Sequence, residues 1–175
     1  LISGSNITIF DFDGGNGTAL DANTVYSFTF HNAGTFNAAN PTASLLNTGT
    51  RFSSNANTEA NGGQVGGYAD GAVRNVSTGA PFGFGDGFDS SFVVALQDPL
   101  LIDPGTLNIA NNQATGEMVQ TFTTVERGAI DFIDIARAPN GASPTDPAVL
   151  QVYADADNDA STFGLGELLG TSDPA

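Results

Sequence analysis

The chain has 175 residues, enough for one domain with a substantial core; 40% are hydrophobic and 13 are phenylalanine, which excludes a wholly disordered chain. Nineteen acids face four bases, for a formal charge of −15, so nucleic-acid backbones and anionic lipid surfaces are excluded as partners. There is no cysteine, which removes disulfides, thiolate chemistry and Cys-based zinc sites, and no run of about 20 apolar residues exists to insert in a membrane.

Strand signals dominate in chain order. Asn6–Phe12 alternates, as does Thr24–Phe30, which sets Tyr26, Phe28 and Phe30 on one face and Val25, Ser27 and Thr29 on the other. Pro41–Asn47 carries a weak signal for one or two helical turns. Residues 55–79 are rich in Gly, Asn and Ala and read as a long excursion. Phe82–Phe88 alternates Phe and Gly beside Asp86 and Asp89; its rings read as core, and no lysine follows to make it a phosphate loop. Further strands are expected at Ser91–Gln97, Thr106–Ala110, Met118–Val125, Ile130–Ala136 and Val149–Ala154. Ile130–Ile135 breaks strict alternation, so it is buried on both faces or carries a bulge. The expected fold is all-β: one antiparallel β-sandwich or jelly roll of roughly eight to ten strands, spanning 1–175 as a single domain.

The most specific chemistry lies near the C-terminus. Asp155, Asp157 and Asp159 alternate after a strand, and Glu167 follows. Alternating carboxylates on a tightly turning backbone converge to serve a hard cation, and calcium takes six to eight oxygen ligands of this kind. The three Asp residues fit positions 1, 3 and 5 of a calcium loop, with the Ser161 carbonyl at position 7. Ala160 stands where the sharp turn favours Gly, and Glu167 comes one residue after position 12, so a helix-loop-helix EF-hand is disfavoured. A solvated acidic turn is the competing reading. A second acidic group, Asp11, Asp13 and Asn16 with Asp21 beyond, reads either as a cation loop or as a hairpin turn built on Asn16-Gly17.

Val149–Thr171, with Asp155 through Glu167-Leu168-Leu169-Gly170-Thr171 at its centre, resembles the calcium-binding loops of bacterial surface β-sandwich repeat domains, including the B-type repeats of Gram-positive adhesins. It is also similar to the end of bacterial pre-peptidase-type C-terminal domains. The resemblance covers about 23 of the 175 residues; it implies a secreted β-sandwich that holds calcium and carries over no activity.

His31, the single histidine, reads as a surface or strand-end residue, and no G-x-S-x-G elbow accompanies it. Glu59, Glu117, Glu126 and Glu167 offer no spacing that singles out a catalytic pair. The absence of lysine rules out self-made Lys–Asn isopeptide crosslinks. Asn6, Asn16 and Asn75 open N-x-S/T sequons. Leu1 reads as the first residue of a processed chain.

Together these features lead to the expectation of a non-enzymatic, secreted or cell-surface structural protein with calcium as cofactor. Its expected partners are copies of itself or other surface components, and the strand Asn6–Phe12 is a candidate for pairing with a neighbour's sheet edge. The alternative is a calcium-assisted carbohydrate-binding module, with glycans as partners and Tyr68 as its best stacking ring; the other two tyrosines are Tyr26 and Tyr153.

Overall fold

A computed structural model describes residues 6–12, 17–32, 48–53, 73–76, 92–97, 101–102, 109–116, 118–137, 148–159 and 164–175. Two antiparallel sheets pack face to face, with no helix among the described residues. The all-β sandwich expected from the sequence is the fold.

The first sheet is organised by β10 (Gly128–Arg137). On one edge it pairs with β1 (Asn6–Asp11), Asn6 opposite Arg137 through Asp11 opposite Phe132. On the other edge lies β6 (Phe92–Leu96), with β7 (Leu101–Ile102) beyond it. The short β2 (Ala19–Leu20) pairs with the start of β10, and β4 (Thr48–Ser53) joins at Arg137 and carries β8 (Ile109–Gly116). The irregular alternation of Ile130–Ile135 has its cause here: the β10–β6 register shifts between Ile130 and Phe132. That bulge returns Ile133 and Ile135 to the inner face, where Ile130 also lies buried.

The second sheet runs β12 (Leu165–Thr171), β11 (Ala148–Asp155), β3 (Val25–Asn32), β9 (Met118–Thr123), β5 (Val73–Asn75). Thus β5 falls inside the stretch read as an excursion, and the strand sought at Thr106–Ala110 begins later, at Ile109. The weak helical signal at Pro41–Asn47 lies outside the described residues.

Phenylalanines join the layers. Phe28 of β3 meets Phe92 of β6 at a ring-centroid distance of 5.2 Å, and Phe30 meets Phe10 of β1 at 5.7 Å, both edge to face. Phe122 packs beside Phe28 and Phe92. All five of these rings are buried, and each is worth roughly 1.5–3 kcal/mol of transfer free energy.

The opposite face of β3 departs from expectation. A half-solvated antiparallel sheet would expose Ser27, Thr29 and His31, but all three have 0% exposure, as do Thr121 and Gln151 beside them. The central strands β11, β3 and β9 are therefore enclosed on both faces, and His31 is a core residue, not a surface one. Enclosure favours pairing of the polar groups, and most of them pair, while Ser27 Oγ stays enclosed without a partner. His31 Nε2 and Thr29 Oγ1 are 2.5 Å apart, the Tyr153 hydroxyl donates to Gln151 Oε1 at 2.5 Å, and Gln151 Nε2 donates to Thr171 Oγ1 at 3.3 Å. Burial raises the Tyr153 pKa above 10.0, which keeps its proton available for donation.

Candidate functional site

The acidic turn follows directly from the ends of two strands. β11 is held in register by β3, with Tyr153 opposite Ser27 and Ala154 opposite Tyr26. It ends at Asp155, which stands opposite Leu165 of β12. Between Tyr153–Leu168 and Asp155–Leu165 the ladder shifts register, so the β12 side carries two residues against Ala154 alone. Gly166 occupies that bulge because a Cβ there would stand 2.6 Å from the Ala154 carbonyl oxygen. Gly164 likewise lies against Ala156 and accepts its N–H at 3.0 Å, closing the base of the loop.

Within the turn, each aspartate organises the next. Asp155 Oδ1 accepts the N–H groups of Asp157 at 3.2 Å and Asp159 at 3.4 Å, and Asp157 Oδ1 accepts the Asp159 N–H at 3.2 Å. These side-chain turns account for the alternating spacing: an Asp two residues back is placed to bond a backbone N–H. Asn158 adopts a left-handed conformation, φ 57°, which Asn tolerates. Its Oδ1 accepts the Val25 N–H at 2.8 Å and so pins the turn to the start of β3, 133 residues away in sequence. The alternation rule drew attention to the aspartates and passed over Asn158; its place between two of them, where a turn reverses, was the available signal.

The electrostatics are unbalanced. Asp155 is half-buried, and its Oδ2 is enclosed without a hydrogen-bond partner. Burial raises its pKa first, and the neighbouring Asp157 carboxylate pushes the same way, while the two backbone N–H groups oppose. Asp157, Asp159 and Glu167 are exposed. Ser161 lies outside the described residues. Among those described, no three His, Cys, Asp or Glu side chains converge as a metal-ligand set. Asp155, Asp157 and Asp159 share one turn, while Glu167 lies in β12; the buried Asp155 Oδ2 lacks a partner, and a hard cation is the kind of group it suits.

The second acidic group is divided. Asp13 and Asn16 lie outside the described residues. Asp11 ends β1 and its carbonyl accepts the Asp173 N–H at 2.8 Å, beside a shallow cleft of about 200 Å3 that also touches Thr18 and Gly170. Asp21 stands in the β2–β3 turn, where its carboxylate meets Arg127 Nε at 3.4 Å with both side chains exposed. Its carbonyl accepts the buried Thr124 hydroxyl at 2.5 Å. Asp21 is thus tied to the β9–β10 connection.

Tyr26 and Tyr153 are buried, at 4% and 2% exposure, so neither presents a stacking ring to a sugar. Tyr68, Phe82–Phe88, Asp86, Asp89, Glu59 and Glu117 lie outside the described residues. The chain matches no protein-family model, and comparison with curated proteins and with solved structures also finds no match.

Proposed function

We propose that the chain is a non-enzymatic extracellular structural protein, a calcium-stabilised surface adhesin module or a self-assembling filament or layer subunit. One observation carries the reading: the partnerless Asp155 Oδ2, enclosed at the base of a turn that also carries Asp157 and Asp159. A carboxylate held against desolvation and like charge destabilises the fold unless a cation compensates it. Calcium suits an all-oxygen set, with Asp155, Asp157 and Asp159 as carboxylate donors and Glu167 and the Ser161 carbonyl as completing ligands. Asp11, Asp13, Asn16 and Asp21 form the weaker candidate, since Asp21 already meets Arg127.

The composition supports the same reading. A lysine-free, acidic chain with few charges overall suits an exposed protein whose loops are tied by cations in place of disulfides. The glycan-binding alternative is less favoured, because two of the three tyrosines are enclosed. The test is sedimentation velocity of the purified chain, first in chelator and then in excess calcium. A calcium-driven shift to larger species supports a polymerising or layer-forming subunit. A calcium-stabilised monomer supports the adhesin module. A chain whose size and melting temperature both ignore calcium contradicts the proposal.

A further inference from the structure

The expectation that Asn6–Phe12 inserts into a neighbour's sheet meets a different arrangement: β1 is already paired along its length with β10 of its own chain. Among the described strands that pairing leaves β1 at an edge. Among the described residues its one strand partner is β10. The Phe12 N–H donates to Asp131 O, which fixes the phase of the ladder. Phe10 and Thr8 then exchange bonds with β10, while Ile7, Ile9 and Asp11 direct their N–H and C=O groups away from it. The Asp173 N–H bonded to Asp11 O lies on that outer side and agrees with this phase.

Edges of sheets are normally guarded by brevity, bulges, charge or proline. Among the described residues the other edges have such guards. β7 spans two residues and β5 three. The β12 ladder shifts register twice and carries the exposed Glu167, and the β8 ladder with β4 shifts once. β1 has one guard only, the exposed Asp11 at its last residue: its register is unbroken, it contains no proline, and Asn6–Phe10 bears no charge in a chain of nineteen acids. Ile9 stands 59% exposed in the middle of it.

We propose that the outer edge of β1 is a self-association seam, pairing antiparallel with β1 of a second copy across a two-fold axis. Placing Ile7 of one copy opposite Ile9 of the other allows about four backbone hydrogen bonds and stops short of Asp11, already engaged by Asp173. A two-fold seam uses this least guarded edge twice; a head-to-tail contact would need a better guarded one. The contact extends the structural reading above and rests on it for its role, but its chemistry requires no calcium. Each copy carries −15, so the copies repel over distance and added salt favours the pair.

The test is sedimentation equilibrium of the full chain in chelator, at low and high salt, and then in calcium, on the wild type and three variants. Ile9→Pro removes an outward N–H without touching a bond to β10, and proline is tolerated on an edge strand in that position. Ile9→Ala keeps the N–H. Ile9→Lys sets two like charges at the seam and serves if the proline variant does not fold. The wild type is expected to dimerise, more strongly at high salt. Ile9→Ala should still dimerise, while Ile9→Pro and Ile9→Lys should be monomeric with unchanged circular dichroism. A monomeric wild type at high concentration in chelator and salt overturns the proposal, as does a folded Ile9→Pro or Ile9→Lys that dimerises like the wild type. Association seen only in calcium also overturns the seam while leaving the functional reading intact.

Discussion

Replacing Asp155 by Asn should change stability in opposite directions with and without calcium. In chelator, the wild-type carboxylate keeps Oδ2 buried and partnerless, next to the Asp157 charge. The amide keeps an acceptor for the Asp157 and Asp159 N–H groups and turns a donor toward the Asp157 carboxylate. An unsatisfied buried polar atom costs about 1–3 kcal/mol. Asp155 is only partly enclosed, so solvent screening places the gain near the lower end, about 1 kcal/mol. For a domain of this size that is a rise of roughly 2–4 °C in melting temperature. In calcium at a hundredfold over its dissociation constant, the wild type gains about 2.7 kcal/mol by mass action, and the variant forfeits most of it. Differential scanning calorimetry in both buffers reads the crossing directly. A variant less stable than wild type in chelator would refute the electrostatic argument, and a wild type indifferent to calcium would refute the cation.

Three further outcomes follow from single side chains. Asp134 of β10 has its pKa raised above 3.8 by burial, and its Oδ1 is enclosed without a partner. The folded state therefore holds this proton more tightly than the unfolded one, and stability falls as pH rises from 3.8 through the raised folded value. Asp134→Asn should gain up to about 1 kcal/mol at neutral pH, after discounting for partial exposure, and nothing once both states are protonated; urea titrations across pH check this. Asn158→Ala should cost about 1–2 kcal/mol, since it loses the Val25 bond and puts at φ 57° a residue that tolerates the left-handed region less well than Asn; Asn158→Gly should cost less because glycine adopts that conformation freely, and thermal melts separate the two. Phe28→Ala, which removes the ring shared among Phe30, Phe92 and Phe122, should cost about 3–5 kcal/mol and is read by denaturant unfolding.

The sandwich was legible because its central strands obey a period of two. Tyr26, Phe28 and Phe30 announced one face of β3, and Val149–Ala154 marked most of β11. Short strands escaped notice: β2, β5 and β7 hold two or three residues each, too few for periodicity to register, and are fixed by the neighbours they pair with. Asp155, Asp157 and Asp159 were legible from their spacing, which is also the spacing of the turn they build. His31 was misplaced because alternation separates the two faces of a strand without saying whether the polar one meets water. Thr29 and His31 look the same in sequence whether solvated or enclosed; the enclosure comes from tertiary contacts that a local pattern does not encode. Gly166 carries a related lesson: its role depends on the Ala154 carbonyl across the ladder.

Isothermal titration of calcium into the chelator-treated chain, beside a variant carrying Asp155→Asn, Asp157→Asn and Asp159→Asn together, bears most directly on the cation claim. The account predicts a saturable heat in the wild type that the triple variant loses while keeping its β-sheet circular dichroism. Equal binding by both chains, or none by the wild type, would contradict it.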